Sequence, residues 1–177
     1  MTIDAKLPGR SLQPPSAWVV RFGMHVDAGG TVLDVACGGG RHASWFAARG
    51  HPVMAVDRDF LPVPPPGVAF LQADLETGKW PFAGKSFAAV VVTNYLHRPL
   101  FPELLRAVAS GGWLIYETFA AGNEKYGRPA RPEFLLQPGE LLDVVRGKLQ
   151  VIAYEDGFIE VPKPAMVQRI AARRPTA

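Results

Sequence analysis

One cysteine, Cys37, among 177 residues leaves nothing from which to build an internal disulfide framework or a Cys-rich zinc site, and it suits a reducing cytosol. Long apolar runs are missing too. The longest, Phe87 to Val92, has about six residues where a helix crossing the bilayer core needs about 20. Asp4, Lys6, Pro8, Gly9 and Arg10 interrupt the first ten residues, so no signal-peptide apolar region is expected there. Charge does not come in blocks: 19 Lys and Arg face 16 Asp and Glu, for a net charge of +3. A nucleic-acid binder usually shows a basic stripe. The densest basic knot here, Arg169, Arg173 and Arg174, reads as a solvated tail, and nucleic acid is not an expected partner. The four histidines (25, 42, 51, 97) form no i, i+4 pair and have no cysteine partner, so no metal site is expected. Secreted, membrane-spanning and zinc-finger classes drop out, leaving a cytoplasmic globular protein, monomer or homodimer.

What is present fits one domain. Hydrophobic residues make up 48% and charged residues 20%, and a chain of this length buries roughly 70% of its unfolded surface. With 18 Gly and 17 Pro, turns and short elements are expected rather than a helical bundle. Residues 1–15, with Pro8, Gly9, Pro14 and Pro15, predict an irregular arm, and 16–177 a single domain. Ser16 is a candidate N-cap for a helix over Ala17–Val26. Further helices are expected over Arg41–Arg49, Pro102–Ala109 (stopped by Gly111-Gly112) and Pro138–Val145. Apolar runs at Thr31–Ala36, Val53–Val56, Val68–Ala73, Phe87–Thr93 and Trp113–Thr118 read as strands of a parallel sheet covered on both faces. Leu149–Glu155 and Met166–Ala172, with no helix between them, predict an antiparallel hairpin at one edge, its loop holding Gly157, Pro162 and Pro164. Trp18, Phe22, Trp45 and Phe46 are expected in the core.

Ligands of such α/β sheets collect at the carboxyl ends of the strands. At the first of these the chain reads Asp34-Val35-Ala36-Cys37-Gly38-Gly39-Gly40-Arg41, a turn that lets backbone approach a ligand closely. Gly38 to Ala43 also fits G-x-G-x-x-A with Asp57 nineteen residues on, so an NAD(P)-binding oxidoreductase competes on this segment. The acids discriminate. Asp34 lies inside the first strand, Asp57 ends the second, and Asp74 ends the third beside Leu75. A pyrophosphate gains nothing from them. A ligand carrying a sulfonium, an ammonium, a ribose and an adenine does.

On these residues the chain resembles the class I S-adenosylmethionine-dependent methyltransferases, and its layout is similar to their small tellurite-resistance (TehB-like) members. Their acid-x-Gly-x-Gly-x-Gly motif is matched by Asp34 to Gly40, with Ala36 in place of the first glycine, a change that a φ below zero would accommodate. The resemblance implies an α/β, Rossmann-like fold: a seven-stranded, mostly parallel sheet with an antiparallel C-terminal hairpin and helices on both faces. It implies methyl transfer from S-adenosylmethionine to a small molecule, with S-adenosylhomocysteine as product. Asp57 would take the ribose hydroxyls, with Arg58 beside it, and Asp74 and Leu75 the adenine. Asp34 would act on the cationic end, and Ala36, Cys37, Gly38, Gly40 and Arg41 would form the loop around the methionine part. Cys37, at a helix N-terminus that lowers a thiol pKa, would pack beside the cofactor. A non-catalytic binding domain of the same fold remains an alternative.

Asn94-Tyr95-Leu96-His97-Arg98 follows the fourth strand, where such enzymes bring donor and acceptor together. Asn94 would hold the methionine amine or face the substrate, and Tyr95 and His97 would wall the pocket or take a proton. An amine or hydroxyl acceptor must shed a proton, for which His97 or Glu117 is placed. The long stretch 120–137 is either a lid or a surface excursion tied down by ion pairs. Arg128 and Arg131 would favour an anionic substrate if they point inward.

Overall fold

The structure, a computed structural model, describes residues 13–61 and 63–176. The expected N-terminal arm therefore lies outside the described residues up to position 12. Seven strands pair into one sheet: β1 (Val32–Val35), β2 (Val53–Asp57), β3 (Val68–Gln72), β4 (Phe87–Thr93), β5 (Val108–Phe119), β6 (Gln150–Ile159) and β7 (Ala165–Arg173). Their order is β3-β2-β1-β4-β5-β7-β6. Pairing is parallel from β3 to β5, and β7 runs antiparallel to both β5 and β6. The predicted sheet and its C-terminal hairpin are both present.

Both faces of the central strands are apolar, so both need a cover. α1 (Ala17–Gly23) and α2 (Arg41–Ala47) bury Trp18, Phe22 and Phe46 against one face, and α3 (Phe101–Ala107) and α4 (Glu140–Val145) bury Leu104, Leu105 and Leu141 against the other. Ser16 does cap α1, its Oγ accepting from the Trp18 amide at 3.1 Å. After β1 the chain builds outward through β2 and β3, then returns to lay β4 on the other side of β1. The crevice of such a reversal opens at the carboxyl ends of β1 and β4.

Several boundaries differ from expectation. α1 stops at Gly23 rather than Val26, and α2 at Ala47 rather than Arg49. Gly111 and Gly112 lie inside β5, a strand of 12 residues. They sit where the β4–β5 register shifts between Phe87 and Ala89, so they bend a strand instead of stopping a helix. Gly157 belongs to β6, not to the hairpin loop.

The arginine knot is no solvated tail. Arg169 and Arg173 are part of β7. Arg173 Nε donates to the Gly111 carbonyl at 2.9 Å, and Arg174 donates to the carbonyls of Val108 and Leu105, the latter on the last turn of α3. Carbonyls at the junction of α3 and β5 thus hold this stretch in the fold.

The α1–α2 contact depends on Gly23. A Cβ there would lie 2.7 Å from Trp45 Cζ3 and 2.8 Å from Phe46 Cζ. Ala at an open helix position would gain about 1 kcal/mol, but overpacking costs about 1–3 kcal/mol. Gly23→Ala is therefore expected to lower stability in chemical denaturation. A gain would mean that the two helices are free to move apart.

Candidate functional site

At the C-terminal ends of β1, β2 and β4 lies a cleft of about 250 Å³, lined by Ala36, Asp57, Arg58, Ala73, Asp74, Leu75, Glu76, Asn94 and Tyr95. The loop after β1 forms its inner wall. Gly38 N–H donates to Asp57 Oδ2 at 2.7 Å and Cys37 N–H to the Val56 carbonyl at 3.0 Å. To make both bonds the chain turns at once on leaving β1. Ala36 (φ 53°), Gly38 (φ 54°) and Gly40 (φ 77°) all become left-handed. The expected negative φ at Ala36 is thus corrected: those two bonds place the bend on Ala36 itself.

Asp57 also accepts from the Asp59 amide at 2.9 Å. A carboxylate has about four acceptor positions, so two remain for hydroxyls of a ligand. Asp74 is exposed, and its Oδ1 accepts from the Glu76 amide at 2.9 Å. That bond, with help from Thr77, holds its carboxyl below the usual carboxylate range. Leu75 turns into the core beneath it.

Behind the loop, Asp34 is 1% exposed. Its Oδ2 accepts from the Ala43 amide in the first turn of α2 at 3.0 Å, while Oδ1 has no partner among the described residues. Burial pushes this carboxyl from 3.8 up to about 7, against the pull of the Ala43 amide and Arg41. Cys37 is buried as well. Burial, then Asp34 and Asp57, pushes its thiol up to about 12, which corrects the lowered value expected at a helix N-terminus. Arg41 reaches backward, Nη1 donating to the Pro14 carbonyl at 3.3 Å. Among the donor-side candidates, Ala36, Asp57, Arg58, Asp74, Leu75 and Asn94 face the cleft, whereas Asp34, Cys37, Gly38, Gly40 and Arg41 build what stands behind it.

The acceptor-side candidates separate. Tyr95 joins the donor residues in the cleft, its hydroxyl buried without a partner and its carbonyl accepting from Tyr116 Oη at 2.8 Å. Burial, then Glu76, Asp74 and Asp57, pushes that phenol up to about 12, so it is a hydrogen-bonding group and not a base at neutral pH. Asn94 is left-handed (φ 54°) and exposed. His97 is half-buried and no side-chain hydrogen bond engages it among the described residues. Glu117 is corrected as a proton acceptor: Arg169 Nε lies 3.0 Å from its Oε2, and the pair is only 14% and 12% exposed.

The stretch 120–137 is tied down. Asn123 is buried, its Oδ1 accepting from the Met166 amide and its Nδ2 donating to the Pro129 carbonyl. Arg98 grips Glu140 with two nitrogens and also donates to the carbonyls of Glu133 and Leu135. Arg128 and Arg131 are exposed, and Arg131 is paired with Glu133. Residues missed from sequence are Glu76 on the cleft wall, Arg98 as a clamp, and His42 with Thr93 beside the loop. The place of His42, two residues after Gly40, is the sequence signal for it. Among the described residues no group of three His, Cys, Asp or Glu could hold a metal ion, and no helix is long and apolar enough to cross a membrane.

Comparison with known proteins agrees with this geometry. The methyltransferase-domain family matches residues 33–116. The solved structure of TehB from Haemophilus influenzae is similar over 90% of this chain, with a TM-score of 0.73 and 15% identity, and this chain spans 62% of its length. A TehB-like S-adenosylmethionine-dependent methyltransferase from Corynebacterium glutamicum is similar over 89% of this chain and 86% of its own, with a TM-score of 0.65 and 17% identity. The 1,6-didemethyltoxoflavin-N1-methyltransferase of Burkholderia thailandensis, solved with 1,6-didemethyltoxoflavin and S-adenosylhomocysteine bound, is similar over 89% of this chain and 76% of its own, with a TM-score of 0.63 and 18% identity. No curated protein sequence matches the chain.

Two predictions follow from the loop. A left-handed Cβ costs roughly 1–2 kcal/mol, against roughly 0.5–1 kcal/mol for the extra freedom of an unfolded glycine. Ala36→Gly should therefore raise stability by up to about 1 kcal/mol, or about 2–4 °C in thermal unfolding; a lower melting temperature would refute the strain. For Asp34 the folded carboxyl titrates near 7 against 3.8 for the ordinary group. The native state thus gains stability as pH falls from about 7 to about 4, and has lost that gain above 7, by at most ~4 kcal/mol. His42 opposes this, since burial lowers it to about 3 and costs stability as pH falls below 6.5. Asp34→Asn leaves the His42 contribution in place. Denaturant titrations from pH 5 to 8 should show the variant gaining on the wild type as pH rises; a constant difference would mean Asp34 titrates normally.

Proposed function

We propose that the chain is a class I S-adenosylmethionine-dependent methyltransferase, a reading supported by the methyltransferase-domain match over residues 33–116 and by the fold, and that the methyl group it takes from S-adenosylmethionine goes to a small acceptor that is uncharged or cationic. S-adenosylmethionine supplies a methyl group bonded to positively charged sulfur, open to in-line displacement. The residues present fit it. The unpartnered Asp34 Oδ1 calls for positive charge, the cleft wall is acidic at Asp57, Asp74 and Glu76, and the left-handed loop brings backbone close. Asp57 would hold the ribose hydroxyls with its two open acceptor positions, and Asp74 and Leu75 the adenine edge and face. Asp34 and Asn94 would hold the amino-acid end. A diphosphate would meet carboxylates at each of these points, which is why the oxidoreductase reading is set aside.

The acceptor class rests on the arginines. Arg98 is committed to Glu140, Arg169 lies between Glu117 and Glu155, Arg131 pairs with Glu133, and Arg58 lies 3.7 Å from Asp59. At any of these four an oxyanion of the tellurite kind would have to break a pair, and Arg128, which is exposed, is not among the cleft-lining residues, so the kinship with tellurite-resistance enzymes is proposed to extend to fold and donor only. Orientation supplies most of the catalysis in this reading. His97, with no other partner, takes the proton that an amine or hydroxyl acceptor releases, on an imidazole nitrogen. A single methyltransferase domain over 16–177, monomeric or homodimeric and working in the reducing cytoplasm that a lone thiol suits, completes the proposal.

The observation that carries it is the buried carboxylate without a cation, set behind an acid-lined cleft. Asp57→Ala should weaken S-adenosylhomocysteine binding in calorimetric titration by at least about 1.5 kcal/mol, roughly tenfold, the scale of a lost charge-assisted hydrogen bond. Unchanged affinity would remove the ribose from this carboxylate.

A further inference from the structure

His42, in the first turn of α2, is 1% exposed and makes two hydrogen-bond contacts. The Ser16 amide donates to its Nε2 at 3.1 Å, and its Nδ1 lies 3.3 Å from Thr93 Oγ1. The first bond settles the tautomer. A backbone N–H can only donate, so Nε2 carries the lone pair and the proton sits on Nδ1, where it is donated to Thr93. Burial, with the charge of Arg41, lowers the imidazole to about 3, so it is neutral at physiological pH.

The groups it joins stand around the donor end of the sheet. Ser16 is the N-cap of α1, two residues past Pro14, whose carbonyl Arg41 grips. His42 lies two residues beyond Gly40. Thr93 ends β4 and immediately precedes Asn94, which lines the cleft. One neutral ring thereby links the lead-in to α1, the glycine loop and the tip of β4.

We propose that His42 is a positioning residue for S-adenosylmethionine, holding the lead-in to α1 and the tip of β4 at a fixed spacing from the glycine loop so that together they wall the methionine end of the donor site. It acts through Ser16 and Thr93 and not by touching the donor. The role rests on reading the cleft as an S-adenosylmethionine site. An apolar ring or chain of similar size would fill the space equally well, yet it would leave a half-buried amide and hydroxyl unpartnered, one at the N-cap of α1 and the other next to Asn94 of the cleft.

The test compares wild type, His42→Leu, His42→Gln and Thr93→Val by calorimetric titration with S-adenosylhomocysteine. Amide exchange at Ser16 to Trp18 and thermal unfolding are measured on the same samples. His42→Leu is expected to raise the dissociation constant about tenfold or more and to speed Ser16 exchange. His42→Gln, whose amide offers both an acceptor and a donor, is expected to stay within about threefold of wild type. Thr93→Val, which removes one end only, falls between them. Should His42→Leu fail to fold, the Gln and Val variants carry the comparison. A folded His42→Leu with faster Ser16 exchange and unchanged affinity would overturn the proposal and leave His42 a structural clip. A wild type that binds no S-adenosylhomocysteine, whatever the exchange data, would instead sink the donor site and this role with it.

Discussion

A carboxylate with one unpaired oxygen sits behind the glycine loop, and the cleft end of the molecule is arranged around it. Asp34 gives one oxygen to the first turn of α2 and keeps the other unpaired inside the protein. Such a group is destabilising unless something positive comes to it, because removing an ionised carboxylate from water is expensive. The wall in front of it adds further acids and no unpaired cation. Under the proposed function that cost is relieved when a cationic ligand arrives.

The loop that separates Asp34 from the cleft is held by a second carboxylate. Asp57 bonds the Gly38 amide, and that bond, with Cys37 on Val56, bends the chain at Ala36. The loop and Asp57 are thus mechanically one unit. A ligand that draws on Asp57 also braces the turn carrying the backbone close to it. His42 extends the unit on the far side of the glycines, to Ser16 and Thr93. Between β2 and β3 no helix occurs among the described residues, and Leu61 and Pro65 lie near the place a Gly40 side chain would occupy. In a chain this short, loops and single side chains do work that packed helices could otherwise do.

What could be read from the sequence divides along the range of the contacts involved. The central strands β1 and β4 were legible because apolar runs buried on both faces have few alternatives, and Ser16 was legible because a cap acts within its own turn. The three strand-end acids were legible because a strand end is a local property. The left-handed φ of Ala36 was not, since it is imposed by Val56 and Asp57, twenty residues away. Nor was the fate of Glu117: its pairing with Arg169 depends on the antiparallel register of β5 and β7, which only the folded sheet establishes. The thiol of Cys37 was misjudged for a related reason. A helix N-terminus is visible in sequence, whereas the burial and neighbouring carboxylates that outweigh it are not.

The same register explains why part of the chain's basic charge is neutralised within the sheet. Thr93, Glu117, Arg169 and Glu155 stand side by side across β4, β5, β7 and β6, so the cation of that row is flanked by two acids. Arg173 and Arg174, further along the chain, are used up on carbonyls. A net charge of +3 therefore coexists with an acidic functional end. Total charge describes how a protein behaves in bulk solution, and a ligand meets only the groups left unpaired where it binds. In the cleft those include the open acceptor positions of Asp57 and the hydroxyl of Tyr95, a set that agrees with the proposed cationic donor.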